Sequence, residues 1–244
     1  MKKIAAIILA AGRGKRMKAR EINKVVFPLR NKQMILHAIE RLSGLFINPI
    51  VVVVGFAKES VMKILDGKVI FAHQKRRLGT AHAVMCALKK LPANISTVFV
   101  INGDDSAFYT KGLIKKLIET HLRKKAALSF LTIKVDNPVG LGRIVRDSNG
   151  KVIRIVEEKD AAETEKNINE INPACYVFEV SFLKKYLAKV KKSSVSGEYY
   201  LTSLIDIAIK NNEKIEVEKG GKIIWRGINT PEELKEAERL FLDN

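Results

Sequence analysis

The chain has 244 residues, 47% of them hydrophobic, with 44 Lys and Arg against 26 Asp and Glu and a net charge of +18. That length suits one large α/β domain with a real core, and no apolar run reaches transmembrane length. The charge invites nucleic acid as a partner, but the cations are dispersed (Lys115, Lys116, Lys184, Lys185, Lys189 to Lys192) and aromatics are only 7%, so nucleic-acid binding is not expected. "MKKIAAIILA" is too short in its apolar part for a signal peptide and runs into a glycine-rich loop. Cys86 and Cys175 lie far apart and read as core thiols of a reducing cytoplasm. The four histidines have no ligand spacing, so zinc is not expected.

Short apolar runs alternate with longer amphipathic ones. "IAAIILA", "PIVVVVG", "KVIFAH", "STVFVIN" and "ALSFLTIKV" read as strands, with helices at about Met34 to Leu45, Glu59 to Leu65, Thr80 to Leu91 and Lys111 to Arg123. Apolar strands separated by helices imply a Rossmann-like, mostly parallel sheet flanked by helices, with ligands at the carboxyl ends of the strands. After about residue 140 the pattern changes. "GRIVRDSNGKVIRIVEEKDA" reads as a β-hairpin around Ser-Asn-Gly, and "EINPACYVFEV" as one further strand. Helices are expected at about Ser181 to Val190 and Leu201 to Lys210. "KIEVEKG" and "KIIWRG" read as short strands, and Pro231 opens a terminal helix. One domain is expected, with a nucleotide-binding half over about 1–135 and a second half over about 136–244 that completes a pocket.

"ILAAGRGKRM" and "VINGDD" both fall at strand ends and should face one crevice. The first is a phosphate loop, but neither common fingerprint fits: Met17 stands where the dinucleotide motif wants a third glycine, and Arg16 follows Gly14-Lys15 where a Walker loop wants Ser or Thr. Its small residues let backbone N–H groups approach an anion, and Arg16 and Lys24 can neutralise a polyphosphate.

Together with Lys24 in "NKVVFPL", "QKRRLGTAHAV", "GLGRIVRDSNGKVIRIVEEKDA", "EINPACYVFE", "GEYYLTS" and "GINTPEEL", the order of motifs resembles the sugar-phosphate nucleotidyltransferases, nearly end to end. It looks most like the N-terminal domain of the bifunctional N-acetylglucosamine-1-phosphate uridylyltransferases. The resemblance implies a nucleotide loop of Leu9, Ala10, Ala11, Gly12 and Gly14, with Arg16 and Lys24 as catalytic cations, Lys24 facing the phosphates. It implies base recognition by Gln74, Gly79 and Thr80, a magnesium ion on Asp104 and Asn229, and a sugar site of Asn102, Gly142, Glu157 and Asn172. These residue types suit the tasks. Magnesium takes hard oxygen ligands, few of them from protein; Gln74 offers an acceptor and a donor to the N3–H and O4 of uracil; Glu157 can accept from sugar hydroxyls. Asp105 is a rival to Asp104, and register favours Asp104.

Departures from the family's pattern fall mainly on the sugar side: Asn102 replaces an aromatic, Leu141 a tyrosine, Pro173-Ala174 the usual Thr-Gly, and Ser203 an aspartate; Lys15 replaces a threonine in the loop. The bifunctional proteins continue into a β-helix of hexapeptide repeats carrying an acetyltransferase, whereas this sequence closes at Asn244 in a charged helix, so acetyl transfer is not expected. The expected reaction is magnesium-dependent transfer from UTP to a sugar 1-phosphate, with N-acetylglucosamine 1-phosphate favoured, in a cytoplasmic monomer or small homo-oligomer. Glucose 1-phosphate or a polyol phosphate with CTP or dTTP is a rival within the class. A nucleotide-sugar sensor without catalysis is a rival outside it.

Overall fold

The structure is a computed structural model that describes residues 3–17, 19–221, 223 and 225–241. In chain order it contains β1 (Ile4–Ala10), β2 (Pro28–Leu29), β3 (Lys32–Gln33), α1 (Met34–Leu42), β4 (Ile50–Val54), α2 (Lys58–Leu65), β5 (Ile70–His73), α3 (Thr80–Leu88), β6 (Thr97–Asn102), α4 (Lys111–Lys124) and β7 (Leu128–Lys134). It continues with β8 (Gly142–Arg146), β9 (Val152–Val156), α5 (Glu163–Lys166), β10 (Glu170–Asn172), β11 (Cys175–Glu179), α6 (Val180–Tyr186), α7 (Ser203–Lys210), β12 (Ile215–Lys219) and α8 (Pro231–Leu240).

Ten strands form one mixed sheet in the order β5-β4-β1-β6-β11-β7-β10-β8-β9, with β12 also on β7; β2 and β3 pair separately. The first four neighbours, β5-β4-β1-β6, are parallel, as apolar runs joined by helices require. β1 shows why both faces are covered: Ala6, Ile8 and Ala10 enter one core with α1, α2 and α4, while Ala5 and Ile7 enter a second with α3, α6 and α7. Local chemistry fixes the helix starts. Thr110 Oγ1 accepts from Leu113 N at 3.1 Å to cap α4, and Thr230 and Glu233 form a reciprocal capping box at α8 with Pro231 at its first turn.

"EINPACYVFEV" is not one strand. β10 and β11 both run antiparallel along β7, but Asn172 faces Gly142 of β8 whereas Cys175 faces Ile101 of β6. The break is at Pro173, which has no N–H to give to a ladder, and Ala174, whose φ of 56° leaves the extended region. The sheet splits open there, and the cleft enters between the ends of β6 and β8. "KIIWRG" is also not an assigned strand among its described residues; Lys222 and Ile224 lie outside them.

Candidate active site

β1 and β6 pair so that Leu9 faces Asn102, and Gly103 N donates to the Leu9 carbonyl at 3.0 Å. Two chain ends therefore leave the sheet side by side: the loop from Ala11 to Gly14 and the turn carrying Asp104. The loop is held by a residue that sequence reasoning missed. Asn23 is fully buried, and its Nδ2 lies 3.0 Å from the Ala10 carbonyl, 3.1 Å from that of Gly12 and 2.8 Å from that of Phe56. Its Oδ1 accepts from Val25 N at 3.1 Å, capping the short helical turn that starts at Lys24. Its sequence signal is slight: a polar residue before a conspicuous lysine. Gly14 has φ 61° and a Cβ there would stand 2.9 Å from Lys24 Cβ, so the loop and Lys24 are packed as one piece.

Gln74 follows β5, and Gly79 and Thr80 open α3. Gln74 Nε2 donates to the Gly79 carbonyl at 2.9 Å and lies 3.0 Å from His82 Nδ1. Gly79 is pressed on the backbone of Tyr199: a Cβ would meet its O at 2.5 Å and its N at 2.7 Å. Ala81 N donates to the Tyr199 carbonyl at 2.9 Å, and Leu201 N donates to Thr80 Oγ1 at 2.8 Å. The segment "GEYYLT" is thus a strap across the start of α3.

At the centre stand Lys24, Asp104 and Asn229. Lys24 Nζ donates to Asn229 Oδ1 and to the Ile228 carbonyl, each at 3.0 Å, and forms an ion pair with Asp104. One carboxylate oxygen and one amide oxygen converge on a single cationic atom. That donor set, hard oxygens around a cation, fits magnesium, which would take the position the ammonium holds. Among the described residues no group of three or more His, Cys, Asp or Glu side chains gathers elsewhere as a competing metal site. Asp105 is 6% exposed, its Oδ1 is without a partner, and its side chain does not cap the turn that follows. Burial, then the neighbouring Asp104 charge, pushes its carboxyl well above the ordinary range.

The sugar-side residues line a smaller cavity of about 190 Å³, formed with Leu141, Pro173, Ala174, Tyr176, Trp225 and Gly227. Asn172 Oδ1 accepts from Tyr176 Oη at 2.5 Å and from Ala174 N at 2.9 Å, which fixes the amide and leaves Nδ2 buried and unpaired. Glu157 accepts from Thr202 Oγ1 at 2.7 Å; burial raises its pKa, the Thr202 bond opposing. Glu158, one residue on, receives Arg143, a fully buried guanidinium, and accepts from Gly140 N at 3.0 Å. Trp225 and Tyr176 were not anticipated as lining residues.

The nucleotide-side residues Leu9, Ala10, Ala11, Gly12, Gly14, Gln74, Gly79 and Thr80 line a larger cavity of about 650 Å³, together with Lys24. Leu9, Thr80, Asn102, Asp104 and Asn229 line both cavities, so the two are compartments of one cleft with the Asp104–Asn229 pair at their junction. Arg16 lies on the smaller side, where a Cβ on Gly140 would be 3.6 Å from its Nη1.

Comparison with known proteins gives the family. Residues 5–244 match the family model described as nucleotidyl transferase. The chain is 44% identical over 243 residues to "Bifunctional protein GlmU" of Caldicellulosiruptor saccharolyticus, covering 98% of this chain and 52% of that protein. It is 38% identical over 241 residues to the protein of the same name from Thermoanaerobacter pseudethanolicus, covering 99% of this chain and 52% of that one. The chain thus spans about half the length of these curated relatives. Among solved structures, a Bacillus anthracis protein assigned as a glucose-1-phosphate thymidylyltransferase superposes with a TM-score of 0.82 over 99% of this chain and 96% of that one; at 23% identity the likeness is one of fold. No helix among the described residues is long and apolar enough to cross a membrane. A strand-end glycine loop beside a single-carboxylate centre, and a family match that runs nearly the whole chain, agree: the chain belongs to the nucleotidyl transferase family.

Proposed function

We propose that the protein transfers a uridylyl group from UTP to a sugar 1-phosphate, releasing pyrophosphate, with magnesium held by Asp104 and Asn229. The observation that carries this reading is the convergence of those two oxygens at the junction of a glycine-lined and a hydroxyl-reading compartment. N-acetylglucosamine 1-phosphate is the sugar that the resemblance to the bifunctional relatives favours. The nucleotide lies on residues of 1–135 and the sugar largely on residues of 136–244, the two halves working as one unit.

The attacking phosphate is already ionised, so no protein base is needed. The difficulty is holding two anions in line. A magnesium ion held by Asp104 and Asn229 would supply positive charge to offset that of the phosphates. The chain's own part is positional. The Asn23-braced loop presents backbone N–H groups to the triphosphate, Lys24 and Arg16 offset phosphate charge, and Glu157 and Asn172 Nδ2 orient the sugar from the far side. Loss of one such charge contact costs about a hundredfold in rate, or about 3 kcal/mol. The two free thiols suit a reducing cytoplasm.

A second reading is thymidylyl transfer or a different sugar phosphate. A different sugar phosphate is favoured by Leu141, Pro173 and Ala174, which line the smaller cavity and depart from the family's pattern. A pyrophosphate-release screen of UTP, CTP, dTTP and ATP against a panel of sugar and polyol phosphates decides between them. Activity confined to dTTP, CTP or ATP would overturn the uridylyl proposal, and release independent of any sugar phosphate would overturn the transfer.

A further inference from the structure

We infer that His82, which does not line the nucleotide cavity, determines which pyrimidine the site accepts, because it locks the Gln74 amide in one orientation. The inference rests on the reading of the larger cavity as the nucleotide site. Gln74 has two N–H groups on Nε2, and both are committed inside the protein, one to the Gly79 carbonyl at 2.9 Å and one to His82 Nδ1 at 3.0 Å. Gln74 is 4% exposed and lines the larger cavity, whereas His82 does not line it. Among the described residues no donor is paired with Gln74 Oε1. The polar atom that Gln74 offers to a base is therefore an acceptor and nothing else.

The consequence for recognition is asymmetric. Uracil and thymine carry N3–H and can donate to Oε1; cytosine presents a lone pair at N3 and meets it acceptor to acceptor. A free glutamine would rotate by half a turn and offer Nε2 instead. Here rotation would set Oε1 against the Gly79 carbonyl and the His82 Nδ1 lone pair, leaving two buried acceptors facing a third. Gly79 is a weaker lock alone, since its carbonyl also accepts from Ala83 N at 3.1 Å. The arrangement needs His82 neutral with its proton on Nε2. Burial, with Lys89 and Arg76 nearby, lowers the pKa of the imidazole and favours the neutral ring, and an amide nitrogen that can only donate requires the Nδ1 facing it to accept. O4 of the base is left to the first N–H groups of α3 other than those of Ala81 and Ala83, which are taken by the Tyr199 and Gly79 carbonyls.

The test compares kcat/KM for UTP and for CTP, with the sugar phosphate that supports turnover, in wild type, His82→Leu, His82→Asn and Gln74→Ala. The ratio is measured within each variant, so it does not depend on the folded fraction. Wild type should prefer UTP by at least about tenfold. His82→Leu should lower that ratio about tenfold, and His82→Asn, whose Oδ1 can accept where Nδ1 did, should restore most of it. A ratio unchanged in His82→Leu but lost in Gln74→Ala overturns the role of His82 and leaves the nucleotide site standing. Loss in both His82 variants overturns the acceptor lock. A ratio unchanged in Gln74→Ala, or no preference in wild type, overturns the base site itself.

Discussion

Lys24 Nζ lies 3.0 Å from Asn229 Oδ1, and the same ammonium is paired with Asp104. The two proposed metal ligands are thus already bridged by a cation of the protein itself. A divalent ion held by the same two oxygens would compete with this ammonium, and Lys24 would then be available to a phosphate. Lys24→Met should therefore tighten magnesium binding to the free protein, measured by calorimetry, while lowering turnover by about a hundredfold. Magnesium affinity unchanged or weakened in this variant would remove Lys24 from that position.

Asp104→Ala takes away the one charged oxygen at the centre. Turnover should fall by more than a hundredfold, with the far-ultraviolet circular dichroism of wild type retained. Pyrophosphate release near the wild-type rate would sink the assignment.

Asn23 ties together carbonyls from three separated positions. Asn23→Ala should lower stability by about 1–3 kcal/mol in denaturant titration and raise the nucleoside triphosphate KM, because the loop loses its brace. A variant with wild-type stability and KM would mean the loop holds its shape without it.

The ends of the elements show what was legible beforehand. Apolar alternation marks β1, β4, β6 and β7 and the four helices between them, because burial on a sheet with two covered faces depends on side-chain pattern alone. It could not mark the break in "EINPACYVFEV", which depends on which neighbours β10 and β11 find. Gln74, Asp104 and Asn229 are reached through the motifs that carry the family resemblance. Asn23 and His82 are not, since their work is done on carbonyls and an amide that only the fold brings near.

Thr202→Val keeps shape and removes the hydroxyl that donates to Glu157. The sugar-phosphate KM should rise several-fold, as expected for one lost hydrogen bond, with the KM for nucleotide little changed. Equal rises in both would show that the strap through Tyr199 moves as a whole.

Asp105 gives a pH prediction. Its folded pKa is raised well above the ordinary 3.8, by burial first. Between those two values the folded state holds a proton that the unfolded state has released. Stability should therefore be fully present below the ordinary value and decline as pH rises through the raised one. Asp105→Asn should remove that decline and melt higher than wild type at neutral pH. A wild-type melting curve indifferent to pH, with Asp105→Asn no more stable, would show that the carboxyl is not held protonated.

At Pro173 and Ala174 the sheet forks, and no ladder depends on either residue. The Pro173 carbonyl is taken by Tyr109 Oη, and the Ala174 N–H by Asn172 Oδ1 at 2.9 Å. Two positions that line the smaller cavity, the proposed sugar compartment, therefore stand outside the strand pairing on either side. A change of side chain at Pro173 would alter the wall of that cavity while the strands on either side keep their pairing, whereas Ala174, at a φ of 56°, admits only small residues without strain.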